Sequence, residues 1–187
     1  MKRDIQLLVI GGSSGSLDVI IRVLPKLAPK DKPAIIIVLH RKAGESSALT
    51  ELLASKTQIP VKEAEEKEVI LNNTIYIAPA DYHLLIEQDR TLSLDYSEKI
   101  NYSRPSIDIT FQTASEVFKD QLAVLLLSGA NADGAEGVEI ANNNGALIAI
   151  QDPSSAMVPF MPQQALKKVK TELVLDVDAI GSFINQL

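Results

Sequence analysis

The chain has 187 residues, 46% hydrophobic and 22% charged, ordinary values for a globular domain with a sizeable core. Its formal charge of −6 argues against a nucleic-acid binder, which needs a positive field to attract phosphates. With no cysteine, disulfides, thiolate metal sites and a cysteine nucleophile are excluded.

No apolar run approaches the ~20 residues of a spanning helix. The N-terminus leads straight into the first predicted strand, so no signal peptide is expected. These features predict one domain over residues 1–187, cytoplasmic and without membrane insertion.

The first predicted unit is residues 5–24. Ile5 to Ile10 is an apolar, β-branched run suited to a strand buried on both faces of a parallel sheet. Gly11-Gly12-Ser13-Ser14-Gly15 makes a tight turn, and apolar residues at 17, 20, 21 and 24 form the stripe of a helix. The turn lies beside backbone N–H groups without intrahelical partners, which favour negative charge. It suits a bound phosphate or a serine that passes through an oxyanion, and it matches the G-x-S-x-G pattern. Small residues are also what any tight βα turn uses.

Pro25, Pro29 and Pro33 close the first helix, and Ala34 to Leu39 is a second buried strand ending at His40-Arg41-Lys42. Ser46 is a predicted cap for a helix through Lys56, residues 60–64 a short strand, and the charge run 63–68 a solvated surface. Residues 74–79, 83–87 and 91–95 are short strands. Leu92, Leu94 and Tyr96 alternate, so an antiparallel hairpin is expected on the sheet's edge.

A helix is predicted from Ser106 to about Phe118, with Ile107, Phe111, Ala114 and Phe118 on one stripe. Strand 122–127, the loop Ser128 to Ala132, a helix from Asp133 and strand 146–150 resume the parallel pattern. Helix 162–169, strand 173–175 and helix 177–185 close the chain. The expected fold is a three-layer α/β/α domain with a mainly parallel sheet of about seven strands and an antiparallel hairpin insert.

Open parallel sheets bind ligands outside the carboxyl ends of their strands. Ser13, His40 and Asp133 each follow a predicted buried strand there. A serine hydroxyl needs a base to take its proton, and the base needs a carboxylate to fix its tautomer and stabilise the imidazolium. Each residue also has a structural reading. His40 can finish a strand on a backbone carbonyl, Asp133 can cap its own helix, and His83 reads as a partly exposed strand residue. Two histidines without cysteine do not make a metal site. The order Ser, His, Asp differs from that of an ordinary α/β-hydrolase.

IGGSSGS (10–16), VLH (38–40), IYIAPADYHLL (75–85), RPSID (104–108), LLSGANADGAEGV (126–138) and QDPSSAMVPFMPQQAL (151–166) occur in the order seen in the CheB family of chemotaxis protein-glutamate methylesterases, which the whole chain resembles. The resemblance places the family's nucleophile on Ser13, its base on His40 and its acid on Asp133. It implies hydrolysis of glutamyl methyl esters on chemoreceptor cytoplasmic helices, with receptor glutamine deamidation as related chemistry. It also implies an oxyanion held by amides of the glycine turn and the 128–132 loop, and no cofactor.

Departures are Ser14 and Ser16 for threonine and glycine, and Ala130 for methionine. Arg41-Lys42-Ala43-Gly44 replaces a methionine–proline-rich continuation, making a more basic lip. The family's N-terminal receiver domain has no counterpart here, so the expectation is a domain active without phosphodonors, with any receiver-domain regulator supplied as a separate protein. Two rival readings are a phosphate or nucleotide binder at the 11–16 turn, assisted by Arg41 and Lys42, and a non-catalytic adaptor of the same fold. No acidic residue ends the second strand to hold a ribose, and an adaptor has no need of all three polar residues.

Overall fold

Residues 3–41 and 46–187 are described by the computed structural model. Lys42, Ala43 and Gly44 of the expected basic lip lie outside the described residues, as does the side chain of Ser46, the expected cap.

Strand β1 (Leu7–Gly12) is flanked by β2 (Ala34–Leu39) on one side and β7 (Leu122–Leu126) on the other. The main sheet runs β3-β4-β2-β1-β7-β8-β9, with β3 at Val61–Glu63, β4 at Ile75–Ile77, β8 at Leu147–Gln151 and β9 at Val174–Leu175, every pair parallel. Such strands are apolar on both faces, and their residues alternate between two cores. Leu7 and Val9 face one cluster, Leu8 and Ile10 the other.

The first cluster lies under α3 (Ile107–Phe118), α4 (Ala135–Asn143) and α5 (Phe160–Lys168), and includes Phe111, Val138 and Met161. The second lies under α1 (Ser16–Val23), α2 (Ser46–Ala54) and α6 (Val177–Gln186), and includes Ile20, Leu53 and Ile184. Each fully buried aliphatic side chain of this kind is worth roughly 1.5–3 kcal/mol.

The expected three layers are present, but the hairpin is placed differently from expectation. Strands β5 (His83–Ile86) and β6 (Leu92–Asp95) form a separate two-stranded sheet. Their buried Leu84, Ile86 and Leu92 share the cluster of Phe111 on α3, so the hairpin packs against a helix instead of extending the main sheet. β4, grouped in the sequence with these strands, belongs to the parallel sheet between β2 and β3.

The chain crosses from one side of β1 to the other between β4 and β7, which makes the carboxyl ends of β2, β1 and β7 the switch point where a crevice forms. Two glycines let the N-terminus of α3 approach this edge. A Cβ on Gly11 would lie 2.4 Å from Ile107 Cγ2, and one on Gly134, which has φ +93°, would lie 2.9 Å from the same atom. Ile107, the first residue of α3, is thereby seated between the end of β1 and the turn that carries Asp133.

Candidate active site

Ser13 follows the last residue of β1 and His40 the last residue of β2. The register pairs Gly12 with Leu39, and the His40 N–H donates to Gly12 O at 3.3 Å, so the two side chains leave adjacent strands on neighbouring rungs. The turn is pinned from the loop that follows β7. Ser13 N–H donates to Ser128 O at 2.9 Å and Ser128 Oγ–H donates to Ser14 O at 2.7 Å. Ser16 Oγ–H donates to Ser13 O, which tightens the entry into α1.

His40 Nε2 lies 2.7 Å from Asp133 Oδ2. An ionised carboxylate only accepts, so Nε2 carries a proton, and in the neutral imidazole Nδ1 keeps its lone pair. The hydroxyl within reach of Nδ1 is that of Ser103, at 3.4 Å, with Asn131 Nδ2 a further 3.4 Å from Ser103 Oγ. Ser13 and His40 line one groove of about 570 Å³ with Leu17, Leu39, Leu49 and Leu52. Ser13 and His40 thus share one groove with Asp133 buried behind the imidazole, and the hydroxyl that contacts Nδ1 is that of Ser103 and not that of Ser13.

Asp133 does not cap its own helix. α4 starts two residues later, behind Gly134, with no side-chain cap. Its carboxylate instead serves the N-terminus of α3. Oδ1 accepts from Ser106 Oγ at 2.9 Å and Asp108 N at 3.1 Å, and Oδ2 accepts from Ile107 N at 2.7 Å as well as from His40. Burial pushes the Asp133 carboxyl up, but the His40 hydrogen bond and the two amides outweigh it and hold the group below the usual carboxylate range. A carboxylate accepting four donors is fixed in direction, so it fixes the plane of the imidazole.

Beside it, Asp108 Oδ1 accepts from Gly137 N at 2.7 Å and Oδ2 from Asn101 Nδ2 at 3.0 Å. Burial, with the neighbouring Asp133 charge, raises Asp108 from 3.8 to about 6 against the opposing Gly137 hydrogen bond.

His83 is fully buried, not partly exposed. Its Nδ1 accepts from Ser106 N at 3.1 Å, so Nε2–H donates to Glu98 O at 2.9 Å. It holds Ser106, which in turn holds Asp133. Ser106 and Asp108 belong to the RPSID motif and Ser103 directly precedes it, which is the sequence signal that pointed to them without assigning them work.

Amides that could stabilise an oxyanion are fewer than expected. Those of Ser13, Ser128 and Gly129 are engaged with Ser128 O, Gln151 Oε1 and Val158 O. Those of Ser14, Gly15 and Ala130 have no partner among the described residues. A turn with its first amide turned inward is a poorer phosphate cradle than the sequence suggested.

A sequence profile described as CheB methylesterase matches residues 8–184. The chain belongs to the CheB methylesterase family. A CheB-family protein of Leptospira interrogans, whose provisional name is protein-glutamate methylesterase/protein-glutamine glutaminase, is 41% identical over 180 residues, covering 96% of this chain and 93% of its own. The Thermotoga maritima protein-glutamate methylesterase/protein-glutamine glutaminase is 34% identical over 176 residues, 91% of this chain, which spans about half (50%) of that longer relative. The crystal structure of the T. maritima CheB methylesterase catalytic domain superposes with a TM-score of 0.92 at 29% identity, covering 97% of this chain and 98% of that one. Among the described residues no helix is long and apolar enough to cross a membrane.

Proposed function

We propose that this chain hydrolyses methyl esters of glutamyl side chains on the cytoplasmic helices of chemoreceptors, and deamidates glutamine side chains by the same chemistry, as one cytoplasmic catalytic domain. Ser13 is the nucleophile, His40 the base and Asp133 the acid. The observation that carries the reading is the buried Asp133 carboxylate on His40 Nε2. In the neutral imidazole it leaves the lone pair on Nδ1, at the groove that Ser13 also lines.

Nδ1 takes the proton of Ser13 Oγ as the oxygen bonds to the ester carbonyl carbon, and the oxyanion turns to the amides of Ser14 and Gly15. Collapse expels methanol, which leaves with the proton from His40. Water then enters, loses a proton to Nδ1 and cleaves the acyl-serine, and Nδ1 returns that proton to the departing Oγ, giving the glutamate and free Ser13. For glutamine the leaving group is ammonia. Ser103 Oγ occupies the resting contact of Nδ1, and catalytic hydrogen bonds often tighten only with substrate bound. No step calls for a cofactor.

The test is covalent capture by a fluorophosphonate probe, read by peptide mass, together with methanol release from methylated receptor peptide. The wild type should be labelled on Ser13 alone, and His40→Ala should label far more slowly while keeping a native circular-dichroism spectrum. Labelling elsewhere, or equal rates in the two proteins, would overturn the assignment.

A further inference from the structure

Of the buried side-chain polar atoms without a partner among the described residues, two belong to one group, Nε and Nη1 of Arg41. Its side chain is 6% exposed and follows His40 directly. Nη2–H donates to Glu63 Oε2 at 3.1 Å and to Ala78 O at 2.9 Å. A buried N–H left without an acceptor is costly, and a guanidinium has a fork of donors matched to a carboxylate.

Arg41 lines two grooves that meet at His40. One is the apolar groove of Ser13; the other, of about 440 Å³, adds Asp81, Lys99, Tyr102, Ser103 and Arg104. In the second groove Asp81 is occupied by Arg104, at 2.7 Å. Lys99 is exposed and has no ion pair among the described residues, and Tyr102 is 98% exposed beside it. In a chain of net charge −6, the wall of this groove beside His40 therefore holds an exposed ammonium without an ion pair among the described residues. Buried behind it is a guanidinium two of whose donors have no acceptor among those residues.

We propose that Arg41 and Lys99 form a subsite for a carboxylate on the ester-bearing segment, so that the enzyme selects glutamyl esters that have an unesterified acidic neighbour. The proposal rests on the hydrolase reading above and names the substrate feature recognised at that site. The apolar groove of Leu17, Leu49 and Leu52 takes the opposite flank, so the preferred segment is amphipathic, acidic towards Lys99 and apolar towards α2. Binding the carboxylate supplies the acceptor that Arg41 Nε and Nη1 lack.

The experiment uses pairs of peptide methyl esters identical except for Glu or Gln at positions within one helical turn of the ester. The quantity read is the ratio of kcat/KM for the two members, which normalises each protein against itself. Wild type should favour the Glu peptide roughly tenfold, mainly through KM, as a charge-assisted hydrogen bond predicts, and the preference should shrink as salt rises.

Arg41→Gln leaves Glu63 without its cation and risks misfolding. Lys99→Glu is therefore the companion variant on exposed surface. It should bring the ratio to about one or invert it. A wild-type ratio near one, or a preference that survives both replacements, overturns the subsite. Absence of turnover on every ester and of probe labelling on Ser13 would instead strike the hydrolase reading, and the subsite with it.

Discussion

At the scale of single residues, Asp133 separates a catalytic carboxylate from a structural one. It contacts His40 and closes the N-terminus of α3, so under the proposed mechanism replacement should register in two measurements. In Asp133→Asn the amide can turn its NH₂ towards Nε2 and favour the wrong tautomer, costing about 10⁴ in kcat as in the best-studied serine triad. The same NH₂, standing in the place of Oδ2, cannot accept from Ile107 N, while the amide oxygen keeps Ser106 and Asp108. Leaving a buried donor without an acceptor costs about 1–3 kcal/mol, so the melting temperature should fall as well. Read from sequence as the cap of its own helix, Asn at this position would be nearly silent, because the two residues cap about equally well. Steady-state kinetics and a thermal melt of the one variant decide between these outcomes.

At the scale of elements, the apolar runs of β1, β2 and β7 were legible because strands buried on both faces admit little but aliphatic residues. Their carboxyl ends then located Ser13, His40 and Asp133. The hairpin was only half legible. Alternation at Leu92 and Leu94 shows that one face is buried but not what buries it, and the cover is α3. His83 was misread for the same reason, since its buried environment is made by Ser106 and the backbone of Glu98, 23 and 15 residues away. The capping of α3 by a carboxylate 26 residues downstream of Ile107 has no local signature at all.

The packing of α3 on α4 carries a pH prediction. Asp108 is raised to about 6, so its contribution to stability is fully present below the unfolded value near 3.8 and is lost as pH rises through about 6. Asp133 is depressed and contributes in the opposite sense, present above its unfolded value and lost as pH falls through its folded one. Asp108→Asn should therefore stabilise the protein at pH 7, by about 1–2 kcal/mol once weakened hydrogen bonds to Gly137 and Asn101 are allowed for, and should do little at pH 4. Urea melts at the two pH values check this, and equal shifts at both would remove Asp108 as the source.

At the scale of the whole molecule, the proposed chemistry is built on backbone register more than on side-chain packing beneath it. Ser13 and His40 directly follow adjacent parallel strands whose ladder fixes their spacing. Asp133 lies seven residues beyond β7 and is held by the N-terminus of α3, and the core below is divided between the two faces of the sheet. Leu125 on β7 is 1% exposed and points into the α1/α6 face, where it borders a small apolar void with Ile10, Ile20 and Ile184. Asp133 and its partners on α3 belong to the opposite face. Leu125→Ala should enlarge that void and cost about 2–5 kcal/mol, the range for truncating a buried leucine. For a chain of this size that is a drop of roughly 5–15 °C in Tm. The kcat on a methyl ester at a temperature where the variant is fully folded should stay near the wild-type value, because the ladders that pair β7 with β1 and β1 with β2 involve no side chain. A large fall in kcat with the native spectrum retained would mean that packing beneath the sheet, and not the strand register, holds the serine and histidine in place.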